Sequence, residues 1–216
     1  MRLIGISGKI GAGKDTVGVI IRQLAITNNG ADWDIRKFAG KLKIVASLLT
    51  GISIEKFEDQ KFKKTILGPE WGKETKSNPL NAIEPFKDVT FVEMMSVRDL
   101  LQKLGTEAMR NGLHQNVWVN ALFADFKEDM HWIITDMRFP NELEAVKKRH
   151  GITIRVVRPH GYTDPNTGVY KEMPLSYHVS ETALDGFEFD YTINNDGDLE
   201  KLISLVREIL EKENVI

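Results

Sequence analysis

The stretch RLIGISGKIGAGKDT, Arg2 to Thr16, restricts the fold more than any other part of the chain. Arg2 to Ser7 is a short apolar run that reads as a buried strand, and Val17, Ile20, Ile21 and Leu24 then recur at helical spacing. Between them, Gly8-Lys9-Ile10-Gly11-Ala12-Gly13-Lys14 fits the pattern G-x-x-x-x-G-K. Glycine is needed there because backbone N–H groups must approach phosphate oxygens closely, often at positive φ. The helix N-terminus adds partial positive charge, and Lys14 can neutralise β- and γ-phosphates. Gly8 to Lys14 therefore reads as a phosphate-binding loop.

Asp15 is the irregularity. In the common pattern a hydroxyl follows the lysine and binds Mg²⁺. Thr16 lies one position later, where its hydroxyl and N–H can face an α-phosphate. Asp15 has two readings: it holds Mg²⁺ through water, or it is a first-turn acid favourable to the helix dipole.

The rest of the chain alternates short apolar runs with helical periodicity, which favours an α/β class. Asp34 to Phe38 reads as a second strand, followed by a helix carrying Leu42, Val45, Ala46 and Leu49. The region from about 55 to 95 has mixed charge and three prolines, Pro69, Pro79 and Pro85, and reads as an insertion or mobile region. Val97, Leu100, Leu101 and Leu104 mark one helix, and Val119, Leu122, Phe123 and Phe126 another. HWIITD, His131 to Asp136, is a buried strand ending in a carboxylate, with Pro140 in the first turn of a helix running towards His150. ITIRVVRP, Ile152 to Pro159, is the next strand, HGYTDPNTG an evident loop and YTIN, Tyr191 to Asn194, a last short strand. Asn195-Asp196-Gly197 then turns into a final helix with Leu199, Leu202, Ile203, Val206, Ile209 and Leu210 on one face. One domain over the 216 residues is the expectation.

With 29 basic against 31 acidic side chains, scattered along the chain, an electrostatic footprint for polymeric nucleic acid is not apparent. The absence of cysteine excludes disulfides and thiolate metal sites. No apolar run approaches the roughly 20 residues of a membrane span, and the start lacks the features of a signal peptide. A cytoplasmic protein without membrane contact is expected.

In an open parallel sheet, ligands bind beyond the carboxyl ends of the strands. Asp136 and Arg138 fall there, although Asp136 also suits a cap for the helix starting at Pro140. Arg98, Arg110 and Arg158 are further phosphate candidates, since arginine offers a fork of donors and a permanent charge. Arg98 also reads as a solvated helix residue and Arg110 as a complement to a helix dipole. Arg158 closes a strand and opens a loop, as a lid residue would. His178, Ser180 and Glu181 are too close in sequence for a hydrolytic triad, and Ser180 suits the N-cap of a short helix.

Together GISGKIGAGKDT, FAGKLK, SVRDLLQKLGTEAMR with NVWVNAL, IITDMRFPNELEAVKKRHGITIRVVRP, HVSETAL and YTINNDGDLEKLISLV resemble the bacteriophage deoxynucleoside monophosphate kinases nearly end to end. Lys-Asp-Thr after the last loop glycine looks like that family's own variant. RDLLQKLGTE and TDMRFPNE are the more specific segments, whereas the loop alone suits many kinases. The resemblance implies a P-loop kinase fold: a five-stranded parallel sheet flanked by helices, a lid over about 158–185 and a substrate-side insertion over about 55–95. It implies ATP with Mg²⁺ as donor, a deoxynucleoside monophosphate as acceptor and, for a phage-encoded chain, the host cytoplasm as location. A homodimer would rest on the resemblance alone. Lys43, Arg98, Asp136 and Arg138 would lie on the acceptor side, and Lys14, Asp136, Arg138 and Arg158 would act in catalysis. Gly11, Ala12, Gly13, Lys14, Asp15 and Thr16 would cradle the donor phosphates, Asn195 and Gly197 would border the donor base, and either Asp15 or Thr16 would order Mg²⁺, directly or through water. Trp118 is read as a buried helix aromatic or a base-stacking residue. The competing readings are another small-molecule kinase, of phosphomevalonate or dephospho-coenzyme A, and a non-enzymatic ATP-binding module.

Overall fold

The computed structural model of the protein describes residues 2–75, 91–127, 129–159, 161–163, 170–172 and 179–216. They form two compact units: Met1–Phe38 with Trp118–Ile216, and Ala39–Val117.

The first unit is built on a five-stranded parallel sheet, as expected. Its strands are β1 (Arg2–Ser7), β2 (Asp34–Arg36), β5 (His131–Met137), β6 (Ile152–Val157) and β9 (Tyr191–Asn194), in the order β2-β5-β1-β6-β9. β1 is central and covered on both faces, which is why it reads as a continuous apolar run. Ile4 and Ile6 face one layer, with Ile133, Ile154 and Ile193, against Val17, Ile21 and Leu24 of helix α1 (Lys14–Asn29) and Leu202, Val206 and Leu210 of helix α7 (Leu199–Lys212). Leu3 faces the other layer with Trp132 and Ile134. It packs with Leu122 and Phe123 of α4 (Val117–Phe123) and Leu143 and Val146 of α5 (Pro140–Lys147). This is the period-2 alternation of a strand sandwiched between helices.

The chain leaves β1 through α1 towards β2 and β5 on one side, and later lays β6 and β9 on the other. The strand order therefore reverses at β1, and a crevice opens at its carboxyl end. The glycine loop occupies that end.

Several boundaries differ from the sequence expectation for identifiable reasons. β2 stops at Arg36, because the N–H of Phe38 donates to Asp136 Oδ1 at 2.7 Å and opens helix α2 (Phe38–Thr50). β5 runs one residue past Asp136, to Met137, and β6 ends at Val157, two residues before a proline that cannot donate to a ladder. α4 ends at Phe123, and Phe126 reaches the core from the following turn, edge-on to Trp132.

The second unit has its own core of Ala46, Phe57, Leu67, Val97 and Leu100. A capping box opens α3 (Val97–Gln102), with Ser96 and Asp99 bonding each other's backbone N–H. The single helix expected here continues instead as a nine-residue π-helical segment, Lys103–Asn111. The described part of the 55–95 region holds short 3₁₀ turns and a hairpin of β3 (Lys73–Thr75) and β4 (Phe91–Glu93), so it carries more structure than its composition suggested. Positions 76–90 lie outside the described residues. Among the described residues no helix is long and apolar enough to cross a membrane.

Candidate active site

The loop between β1 and α1 is held by geometry that only glycine tolerates. Gly13 sits at φ 99°, ψ 19°, immediately before the helix, and no side chain caps the N-terminus of α1. A helix N-terminus that its N-cap residue does not satisfy is where a chain can hold an anion. Behind the loop, Asn195 Nδ2 donates to Ala12 O at 2.9 Å, and Asn195 N donates to Val157 O at 2.7 Å. The buried Asn195 therefore ties the end of β9 to both the loop and β6. Gly197 follows it, and Asp198 caps α7 by accepting from Lys201 N at 2.9 Å.

Lys14 is buried, and its ammonium donates to the carbonyls of Gly8 at 2.7 Å and Lys9 at 2.8 Å. Burial first, and then the neighbouring Arg138 guanidinium, lower its pKa below the ordinary 10.5, against the opposing pull of Glu181, Asp15 and Asp136. Asp15 and Thr16 are exposed in the first turn of α1. The Asp15 carboxylate accepts from Thr135 Oγ1 at 2.6 Å and pairs with Lys37 Nζ at 3.0 Å. Desolvation pushes the Asp15 pKa up, but the Thr135 hydrogen bond, Lys37 and Lys14 outweigh it and hold the carboxyl below its usual 3.8.

Consecutive residues at the end of β5 serve different partners because a strand alternates its faces. Thr135, 1% exposed, reaches Asp15, whereas Asp136 receives the N–H of Phe38. The cap of α5 is not Asp136. Glu142 fills that role, its buried carboxylate accepting from Arg138 N at 2.7 Å and Phe139 N at 3.1 Å. This fixes the backbone of Arg138, whose guanidinium pairs with Glu181 of helix α6 (Val179–Thr182). The same Glu181 accepts from the loop N–H of Ile10 at 2.8 Å. Ser180 falls inside α6 and not ahead of it, and His178 lies outside the described residues.

A cavity of about 230 Å³ lies at this end of the sheet, lined among others by Gly8, Ile10, Arg138, Arg155, Arg158 and Glu181. Arg158 is exposed at its rim. Arg155 donates to the carbonyls of Leu184, of Asp185 at 3.2 Å and of Phe187 at 2.9 Å, and lies over the Phe189 ring at 4.4 Å. Thus Lys14, Arg138, Asp136 and Asp15 come together in the first unit, and Arg158 joins Arg138 on the cavity. Lys43, Arg98 and Arg110 belong to the second unit. There Lys43 is buried and paired with Glu58, Arg98 donates to Gln60 Oε1 at 3.3 Å, and Arg110 donates to Gln115 O at 3.4 Å. Trp118 is buried in α4, the bland reading of that aromatic.

Sequence reasoning missed Glu181, Thr135, Lys37 and Glu142. The capping signal of Glu142, two residues after Pro140, was readable. Glu181 was not, since its partners lie 171 and 43 residues away.

Sheet order, glycine loop and buried lysine define a P-loop α/β protein of the kinase type. Within that class, the chain belongs to the deoxynucleotide monophosphate kinase family, whose model matches residues 49–206. It is 30% identical over 124 residues to the deoxynucleotide monophosphate kinase of Enterobacteria phage T4, covering 55% of this chain and 47% of that protein. The deoxynucleotide monophosphate kinase of Escherichia phage RB69 is 28% identical over 120 residues, 53% of this chain and 45% of that one. The deoxynucleoside-5'-monophosphate kinase of Escherichia phage T5 is 26% identical over 182 residues, covering 68% and 72%. The aligned stretch spans about half the length of the T4 and RB69 proteins.

Proposed function

We propose that the protein transfers a phosphoryl group from ATP, with Mg²⁺, to a deoxynucleoside 5'-monophosphate, giving the diphosphate. The reading rests above all on one observation: α1 opens without a side-chain cap beside the buried Lys14, with Arg138 close enough to lower that lysine's pKa. Membership of the deoxynucleotide monophosphate kinase family supports the choice of acceptor.

In this reading the N–H groups of Gly11 to Thr16 cradle the donor phosphates, and Lys14 leaves the Gly8 and Lys9 carbonyls for phosphate oxygens. Arg138, with its backbone set by Glu142, and Arg158 at the cavity rim neutralise charge on the group in transfer. The acceptor phosphate is already nucleophilic at neutral pH, so alignment, and not a strong base, is what the residues must supply. Mg²⁺, when bound, neutralises charge on the phosphates. Among the described residues no three acidic or histidine side chains cluster to hold a metal, so phosphate and water would be its main ligands. The pairing of Asp15 with Thr135 and Lys37 favours Thr16 as the side chain that orders the ion. Asp136 steadies the start of α2, and Asn195 supports the loop that faces the donor. Lys43 and Arg98, with the 55–95 region, are assigned to the acceptor, and the 158–185 region to a lid that excludes water.

The test is incubation with Mg-ATP and a panel of dGMP, dTMP, dCMP, phosphomevalonate and dephospho-coenzyme A, counting product per ATP consumed. One diphosphate per ATP from deoxynucleotides alone is expected. Transfer to phosphomevalonate or dephospho-coenzyme A, or ATP binding without any transfer, overturns the assignment.

A further inference from the structure

Glu181 reaches the phosphate loop's own backbone with its carboxylate. Its side chain is only 9% exposed, and its two oxygens are divided between two donors. Oε2 takes the N–H of Ile10, within the glycine loop, and Oε1 takes the Arg138 guanidinium. Lys14 lies within electrostatic reach of the same carboxylate. A backbone N–H of a glycine loop, an arginine and a lysine around one anion is the donor set that a phosphoryl group seeks. One turn further on, Asp185 pairs with Lys9 of the loop at 3.3 Å. Two carboxylates of one short segment therefore hold it against the loop, one inside and one at the rim. Arg155 braces the segment from the sheet side through the carbonyls of 184, 185 and 187.

We propose that Glu181 is an internal substitute for a phosphoryl group, so that 179–185 is a latch which a polyphosphate must displace from Ile10 and Arg138. The inference rests on the phosphate-loop reading above but not on the identity of the acceptor. Its consequence is a built-in competition. The Ile10 N–H and Arg138 keep an anion when no ligand is bound, which keeps Lys14 and Arg138 from facing each other uncompensated. A polyphosphate binds more weakly than the bare donor set would allow, because it must first break the two Glu181 contacts. Once Arg138 is released to the ligand, the segment loses its two Glu181 anchors on the loop side.

The test compares the full-length wild type with E181Q and D185N, using sodium tripolyphosphate as probe and calorimetry at fixed ionic strength. E181Q keeps the shape and one acceptor but loses the charge, so about tenfold tighter binding is expected, equivalent to about 1.4 kcal/mol. D185N breaks only an exposed pair and should change affinity by about twofold or less. In the wild type, hydrogen exchange over 179–185 should rise on adding tripolyphosphate while exchange over the loop falls. Unchanged or weaker binding by E181Q, or exchange over 179–185 that is unchanged or falls with the probe bound, overturns the latch. The wild-type exchange measurement decides the matter even where a variant folds poorly. Wild-type binding and deoxynucleotide phosphorylation without a gain in E181Q would refute the latch and leave the kinase reading standing. The gain without any phosphorylation would do the reverse.

Discussion

Gly13→Ala should damage both the stability and the phosphate site, by an amount that can be worked from two contacts. Gly13 has φ 99°, where an L-residue costs about 1–2 kcal/mol. A Cβ there would lie 2.6 Å from Asn195 Nδ2, closer than real carbon–nitrogen contacts come. Asn195 cannot simply step aside, because its amide is bonded to Ala12 O and its backbone to Val157 O. Displacing the amide leaves the carbonyl of the buried Ala12 without its donor, at about 1–3 kcal/mol. The sum is about 2–5 kcal/mol, against a typical total of about 5–15. For a chain of this size it corresponds to a fall in Tm of about 5–15 °C. Thermal and urea unfolding measure it, and the double variant with Asn195→Ala isolates the cause. Removing the amide abolishes the clash but not the backbone strain, so the two substitutions together should cost about 1–3 kcal/mol less than their separate effects added. Strict additivity, or a Gly13→Ala protein with unchanged Tm and tripolyphosphate affinity, would refute the clamp between Asn195 and the loop.

Lys14→Ala should lower the rate of phosphoryl transfer by orders of magnitude with little change in the folded circular dichroism spectrum; near-normal turnover would remove the lysine from the mechanism. Because the Lys14 pKa is lowered, its charge is present below that value and is lost on raising the pH before the ordinary 10.5 is reached. Tripolyphosphate affinity in the wild type should fall in that alkaline window, and affinity that holds steady up to 10.5 would contradict it. Thr135→Val removes the donor to Asp15 and should cost about 1 kcal/mol, at the low end for a charged acceptor because Asp15, 69% exposed, can take up water. The folded carboxyl lies below its unfolded value, so its contribution is present above pH 3.8 and disappears as pH falls through the lowered pKa. In the valine variant the Asp15 pKa, followed by NMR, should move up and that acid-dependent loss should shrink; an unmoved pKa would show that Lys37 and Lys14 alone depress it. Arg155→Met strips three carbonyls of their donor and should raise hydrogen exchange over 184–189, with about 1–2 kcal/mol of lost stability. Unaltered exchange there would mean the segment is held from the loop side alone.

The parts of the fold that were legible in the sequence are those governed by local periodicity. β1, α1, β5, β6, β9 and α7 follow from apolar spacing, since each buries its stripe against its neighbours in one layer or the other. Element ends were less legible because tertiary groups set them. The carboxylate of Asp136, almost a hundred residues on, decides where β2 gives way to α2. The π-helical continuation of α3 has no signature in a pattern that would equally suit an α-helix. In the site, the glycine loop and Lys14 were readable because backbone chemistry demands particular residues at particular spacings. The places of Asp136, Arg138 and Arg158 at or beside strand ends were readable because the periodicity of those strands was. Glu181 was hidden in a short helix whose local neighbours, His178 and Ser180, pointed only to a triad that could be dismissed.

The departure that most troubled the loop pattern, aspartate after the lysine, has its physical account in a different element. A carboxylate in the first turn of α1 sits favourably at the helix dipole, yet under the proposed function it would stand beside phosphate oxygens of the same sign. The structure offsets that repulsion by giving Asp15 two donors, Thr135 and Lys37, on the side of β5 and β2. The close approach this needs is allowed by Gly18, where a Cβ would meet the Thr135 methyl at 2.5 Å. The acidic residue after the lysine is thus accompanied by a hydroxyl at the end of the neighbouring strand, a glycine one turn into the helix and a lysine after β2. Asp15 has its charge held towards the sheet by Thr135 and Lys37, while Thr16, the next residue of the helix, is exposed.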